Sequence, residues 1–390
     1  MRGVSRHYVL AAGGTGGHLL PAFALGQELI LRGHRVDLIT DARGAQIPGK
    51  PVDMPAHVLP AGRLGGGPIG WLRAARAILA GRRQALRLFA QQSPSAVVGF
   101  GGYPALPALL AARSARIPTV IHEQNAVLGR VNRLLARGVQ AIATAYEQVE
   151  RLPAGQQGKV HLVGNPVRAE VLALREETFP VVLEGGPLRI LVTGGSQGAS
   201  VLSAVVPQGL AMLPADLRSR IELTQQCRPE DIDAVRQAYA SYGVSAELAT
   251  YFEDMASRLA QAHLFVGRAG ASTIAELTAA GRPSILVPLP IATDDHQAAN
   301  TRELVAAGGG RAIRQDDFTP AVLASQIEQL AQPPERLAEA AHAAWNCGRP
   351  FAVRDLADLV ESFGGAPLMD VIRVQPGTAP VAIGTAEAAT

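Results

Sequence analysis

The chain has 390 residues, enough for two ordinary domains, and its 48% hydrophobic, 18% charged and 4% aromatic make-up fits a well-buried α/β protein. A formal net charge of +3 is too small to point to nucleic acid, and with Lys50 and Lys159 as the only lysines the arginine excess reflects base composition more than a binding need. Cys227 and Cys347 lie far apart without CxxC or CxxH spacing, no apolar run approaches the roughly 20 residues that span a bilayer, and no secretory segment precedes the first strand; these exclude a disulfide framework, a zinc site and a transmembrane helix, and a cytoplasmic protein is expected.

Tyr8-Val9-Leu10-Ala11-Ala12 reads as a buried parallel strand, and Gly13-Gly14-Thr15-Gly16-Gly17-His18 as the turn from it into a helix predicted over Pro21 to Arg32, with Gly33 as the stop. Such a turn exposes backbone N–H groups at a positive dipole end. A dinucleotide fingerprint fails on spacing, because counting from Gly14 the third small residue would fall on Leu19. His18, where the loop becomes a helix, is either a structural histidine or a neutral imidazole facing a cleft, which suits a general base. Arg35 to Thr40 is a second strand. Trp71 to Phe89 carries Arg73, Arg76, Arg82, Arg83 and Arg87 among Leu72, Ile78, Leu79, Leu86 and Phe89, a basic amphipathic helix that either packs by its apolar stripe or rests on an anionic membrane surface. Ala96 to Phe100 and Thr119 to His122 are short buried strands, the second running into His122-Glu123-Gln124-Asn125, whose polar side chains either work in a site or cap the next helix.

Gly164-Asn165-Pro166 and the stretch up to Pro187 mark a boundary, after which the alternation restarts. Leu188 to Thr193 enters a second glycine-rich turn, Gly194-Gly195-Ser196-Gln197-Gly198-Ala199. A strand, glycine turn and helix opening both halves predict two α/β domains facing one another across a cleft. His263 to Val266 leads through Gly267-Arg268-Ala269-Gly270-Ala271-Ser272 into a helix predicted from about Thr273 to Ala280, whose N–H groups favour a diphosphate. Glu276 either closes a capping box with Thr273 or accepts hydrogen bonds from a ribose. After the strand Ser284 to Val287, Asp294 and Asp295 read as N-terminal caps or, with His296, as a poor metal set, while Gln297 and Asn300 lie three apart on one helix face, where both amides could reach one sugar. From Gly364 the chain loses periodicity and reads as a disordered tail.

Together, Gly13 to His18, Gly101-Gly102-Tyr103, His122 to Asn125, Gly164-Asn165-Pro166-Val167-Arg168, Gly194 to Ala199 and Asp295-His296-Gln297-x-x-Asn300 resemble the bacterial MurG family from about Tyr8 to Phe363. That resemblance implies α/β domains in the GT-B architecture, two Rossmann-like domains with parallel sheets: an acceptor-side and membrane-facing domain at 1–163, a UDP-sugar domain at 164–345, a helix at 346–363 returning to the first, and a tail at 364–390. It implies transfer of N-acetylglucosamine, with inversion, from UDP-N-acetylglucosamine to the 4-hydroxyl of the N-acetylmuramoyl unit of undecaprenyl-linked lipid I. Ser196, Ala271, Ser272 and Thr273 would then contact the diphosphate, Glu276 the ribose, and Gln297 with Asn300 the sugar. Thr15, Gly16, Gly17, Asn125 and Arg168 would complete the donor site, with Gly102 and Tyr103 on the acceptor side.

One direct displacement needs a base for the acceptor hydroxyl and stabilisation of departing UDP. Helix N-termini and Ser196 supply the second without a metal or other cofactor; His18, with Glu123 behind it, is the candidate for the first. A polyprenyl acceptor also implies a peripheral protein on the cytoplasmic face of the inner membrane, bound to its anionic leaflet. The rivals are a UDP-sugar epimerase of the same fold, a transferase using another lipid acceptor, and a non-catalytic UDP-sugar-binding module.

Overall fold

The computed structural model describes residues 5–62, 67–195 and 198–364, with the backbone alone at Pro68. The tail expected to be disordered lies, apart from Gly364, outside the described residues. The first domain runs β1 (His7–Ala11), α1 (Gly16–Leu31), β2 (Arg35–Thr40), β3 (Ala56–Val58), α2 (Gly67–Gln92), β4 (Ala96–Gly99), α3 (Ala105–Ser114), β5 (Thr119–Glu123), α4 (Arg130–Leu135), β6 (Ala141–Thr144) and β7 (Val160–Leu162). A link carrying α5 (Ala169–Ala173) leads to β8 (Leu188–Thr193), α6 (Ser200–Ala211), α7 (Ala215–Arg218), β9 (Ile221–Gln226), α8 (Ile232–Tyr242), β10 (Ser245–Ala249), α9 (Met255–Gln261), β11 (Leu264–Gly267), α10 (Ala271–Ala279), β12 (Ser284–Leu286), α11 (His296–Asn300), α12 (Arg302–Ala306) and β13 (Gly310–Ala312). Three helices follow: α13 (Pro320–Ala331), α14 (Glu335–Cys347) and α15 (Ala352–Phe363).

Both sheets are parallel, ordered β3-β2-β1-β4-β5-β6-β7 and β10-β9-β8-β11-β12-β13. A parallel sheet is covered on both faces, so its strands read as continuous apolar runs. Alternate residues of one strand serve opposite cores: Leu10, Val98 and Val120 pack on one face of the first sheet, and Val9, Val97 and Ile121 on the other. The second sheet repeats this, with Ile190, Val192 and Val266 opposed to Leu191, Phe265 and Leu286. In each sheet the order reverses beside the first strand of its domain, between β1 and β4 and between β8 and β11, and ligands of doubly wound sheets bind outside the strand ends at such a switch point. Here the two crevices face each other.

The last helix ties the domains together. α15 buries Leu356, Ala357 and Val360 in the first domain's core. Arg32 of the first domain reaches Asp358 Oδ1 at 2.5 Å and Glu361 Oε2 at 2.7 Å.

Three expectations shift. The helix expected from Pro21 begins at Gly16, so Pro21 lies in its second turn, where its missing N–H leaves the Gly17 carbonyl without an i+4 donor. α2 is longer than Trp71 to Phe89. The helix expected from Thr273 starts at Ala271 with Gly270 as N-cap, and neither Ser272 nor Thr273 caps it. Its stop is Gly281, at φ +61°.

Candidate active site

A cleft of about 1000 Å³ opens between the domains, lined from the first by Thr15, Gly16, Gly17, His18 and Gly102 and from the second by Ala271, Ser272, Thr273, Glu276 and Gln297. Glu123, Asn125 and Arg168 also line it. Among the helices that begin at this cleft are α1, α6 and α10, whose N-caps Thr15, Ala199 and Gly270 make no side-chain cap bond. The first N–H groups of a helix have no partner within it, and each helix end is equivalent to roughly half a positive charge. The cleft is therefore a seat for an anion. Ser272 Oγ is buried at the third of these ends with no hydrogen-bond partner among the described residues. Glycine is required in the turns for packing and conformation: a Cβ on Gly13 would lie 2.2 Å from Pro104 Cγ, and Gly102, which lines the cleft, sits at φ +76°.

Glu276 is not a helix cap. Its Oε1 accepts from Arg168 Nε at 3.0 Å, across from the link. Burial raises its pKa above the ordinary carboxylate value while the Arg168 guanidinium pulls it back. Gln297 accepts from the Leu289 N–H at 2.9 Å through Oε1, which leaves its amide NH₂ for a ligand.

Asn300 departs from the expectation that it shares a sugar with Gln297. It is fully buried, outside the cleft lining: Oδ1 accepts from the Ala126 N–H at 2.8 Å, and Nδ2 donates to Asn125 Oδ1 at 3.1 Å and to the Ala269 carbonyl at 3.3 Å. Its amide is spent joining the two domains. One of the two acids before it is joined the same way, whereas Asp295 faces Arg314 of its own domain at 3.8 Å. Asp294, at φ +59°, holds Arg133 at 2.6 Å and Arg151 at 2.8 Å, so it is an inter-domain ion pair where a helix cap or a metal ligand was considered. Tyr103 packs against the first domain's apolar core and does not line the cleft. Ser196 lies outside the described residues.

The two candidate bases differ sharply. Both oxygens of Glu123 are occupied: Oε1 accepts from the Asn125 N–H (3.0 Å) and Nδ2 (3.1 Å), and Oε2 from the Gly129 N–H (2.8 Å) and Asn132 Nδ2 (2.9 Å). At 2% exposure, Glu123 organises the loop after β5. His18 has its Nδ1 3.0 Å from Gln124 Oε1, and its other nitrogen is the one left for the cleft.

Gln124, Arg228 and Arg268 are among the cleft residues that the sequence does not single out. Gln124 was read only as part of a polar run. Arg228 and Arg268 add positive charge to the wall, and burial, followed by the nearby Arg228 charge, lowers the Arg268 pKa. Arg268 is anchored by the Val287 carbonyl at 3.1 Å and Gln315 Oε1 at 2.7 Å. The available signal was an arginine just beyond the end of a buried strand in each case.

Comparison with known proteins agrees with this geometry. Residues 8–144 match the glycosyltransferase family 28 N-terminal domain and residues 189–360 its C-terminal domain. The chain is 71% identical over 374 residues to the UDP-N-acetylglucosamine–N-acetylmuramyl-(pentapeptide) pyrophosphoryl-undecaprenol N-acetylglucosamine transferase of Novosphingobium aromaticivorans, covering 96% of each. It is 69% identical to the protein of the same name from Erythrobacter litoralis, covering 96% of this chain and 94% of that one. Among solved structures it is similar to Acinetobacter baumannii MurG, with a TM-score of 0.74 and 31% identity over 92% of this chain and 99% of that one.

Proposed function

We propose a reaction from one firm premise: this chain belongs to glycosyltransferase family 28, and within it to the MurG group. It is a UDP-N-acetylglucosamine-dependent glycosyltransferase that moves N-acetylglucosamine onto lipid I, forming lipid II for peptidoglycan synthesis. The observation that carries the chemistry is the convergence of uncapped helix N-termini, those of α1, α6 and α10 among them, on one cleft, with His18 in the same cleft.

In our reading the diphosphate of the donor lies at the start of α10, where the Ala271, Ser272 and Thr273 N–H groups and Ser272 Oγ supply donors. Glu276 accepts from the ribose hydroxyls, and Gln297 donates to the sugar through Nε2. The acceptor 4-hydroxyl oxygen attacks the anomeric carbon as the bond from that carbon to the UDP oxygen breaks, inverting the centre. Its proton passes to His18 Nε2. Charge grows on the departing diphosphate, and the fixed helix ends stabilise it most when the bond is nearly broken, which is how a pre-arranged site accelerates the step. Glu123, with four donors on it, supports the loop that carries Gln124 and Asn125.

UDP release from UDP-N-acetylglucosamine with and without a short-chain lipid I analogue tests this. Release that depends on the analogue is expected. Turnover of the UDP-sugar alone would indicate an epimerase, and release supported only by a different lipid acceptor would move the substrate assignment.

The membrane contact is a further part of the proposal. No helix among the described residues is long and apolar enough to cross a bilayer. α2 buries Ala74, Ala85 and Phe89 but leaves Ile69, Trp71, Leu72 and Leu79 more than half exposed. Arg73, Arg76, Arg83 and Arg87 are exposed on the same helix. Large apolar side chains among arginines suit an anionic inner leaflet, and this supports our reading of a peripheral enzyme on the cytoplasmic face. Each arginine near such a surface contributes about 1 kcal/mol, and salt screens it. Changing these four arginines to glutamate should abolish sedimentation with anionic vesicles and spare UDP binding; wild-type protein that ignores such vesicles at low salt would refute the contact.

A further inference from the structure

Behind His18 lies a chain of hydrogen bonds that ends on a backbone carbonyl. His122 Nε2 is 2.9 Å from the Gly164 carbonyl, which can only accept, so that nitrogen carries the hydrogen. Gly164 is held at φ +94°, where a Cβ would lie 2.7 Å from Arg349 Cβ, so this carbonyl is fixed by close packing of the link against the returning chain. His122 is fully buried, which pushes its pKa down to about 4 and keeps it neutral; its Nδ1 is then an acceptor. Two acceptors, His122 Nδ1 at 3.0 Å and the His122 carbonyl at 3.2 Å, face the same end of the Gln124 amide. Only the NH₂ end satisfies both, which sets the amide orientation from two independent partners. Gln124 Oε1 is thereby turned to His18 Nδ1 at 3.0 Å.

We propose that Gln124 and His122 are positioning residues that hold His18 as its Nδ1–H tautomer and present the bare Nε2 to the cleft. A carbonyl oxygen has no hydrogen to give, so His18 Nδ1 must supply it. The ring's second nitrogen then carries the lone pair. The ring is confined on another side by Gly101, where a Cβ would sit 3.3 Å from His18 Cε1. Gln124 is neutral, so it selects the tautomer without adding the negative charge that a carboxylate would place beside the imidazole. The mechanistic use of this tautomer rests on His18 acting as the base, as read above; the tautomer itself does not.

The test is ¹⁵N spectroscopy of the histidine rings in the full chain, with His18 assigned by its loss in His18→Ala. Wild-type His18 should show a protonated Nδ1 and an unprotonated Nε2. Gln124→Met, similar in length but unable to accept at Nδ1, should let the Nε2–H tautomer appear and lower kcat by about 10- to 100-fold with KM for UDP-N-acetylglucosamine unchanged. Gln124→Glu keeps an acceptor toward Nδ1 and should keep the tautomer. A wild-type ring protonated on Nε2 would overturn the proposal, as would a methionine variant with unchanged kcat and tautomer. Loss of UDP binding together with turnover in that variant would also overturn it, since Gln124 would then only hold the fold. If His18→Ala keeps normal turnover while the wild-type ring shows a bare Nε2, the base reading fails and the relay stands.

Discussion

Replacing His18 with alanine should lower turnover on a short-chain lipid I analogue by about 10²–10⁴-fold, the usual contribution of a general base, while UDP affinity changes by less than about twofold. The split follows from where the residue sits. His18 is on the first domain at the start of α1, whereas the groups assigned to the donor's nucleotide half lie on α10 and the link. A base acts as the acceptor's proton leaves, so its loss falls on kcat. Near-normal turnover of the variant would remove His18 from the role. Glu123→Gln would be a weak replacement test, because the wild-type carboxylate already accepts four hydrogen bonds and its change would disturb the loop that carries Gln124.

Glu276→Ala should weaken UDP binding by about ten- to hundredfold, since a charge-assisted bond to a hydroxyl is worth about 1.5–3 kcal/mol. Calorimetric titration with UDP measures it, and unchanged affinity would end the ribose role. No cap bond is lost in this variant, because α10 is not capped by Glu276, but the 3.0 Å bond from Arg168 is, and the thermal midpoint reads that loss separately from the binding measurement. The same residue gives a pH test. Its folded pKa is raised by burial, against the pull of Arg168, so it protonates at higher pH than an ordinary carboxylate. A raised carboxyl favours the folded state below the unfolded pKa, and that contribution is lost as pH rises through the folded value. Ligand binding runs the other way, since only the ionised form accepts from both hydroxyls. UDP affinity should therefore fall as pH drops through the raised value, and Glu276→Gln should flatten that dependence.

The sequence by itself determined the strands and the turns. Arg35 to Thr40 and Leu188 to Thr193 occupy the residues that their apolar runs mark, because a strand buried on both faces has no other way to be written. The glycine turns after β1 and β8 were legible for a similar reason: a chain leaving a buried strand to bring backbone N–H groups up to a ligand needs residues without a Cβ, and that need is local. From those elements the two-domain architecture follows, and the cleft with it.

Only the tertiary structure decided which polar side chains face the ligand. Gln297 and Asn300 share a helix face by spacing, yet Asn300 is consumed by Ala126 and Asn125 of the opposite domain. Asp294 looks like a cap and is instead a partner of Arg133 and Arg151. Thr273 and Glu276 have the spacing of a capping box, but Arg168, far away in the chain, takes the carboxylate. Gln124 is legible only as one member of a polar run, since its role depends on His122, Gly164 and His18 meeting from three separate elements. Periodicity and turn chemistry are encoded within a few residues, whereas a hydrogen bond across a domain cleft is fixed by where two sheets are held relative to one another, and no local stretch of sequence carries that information.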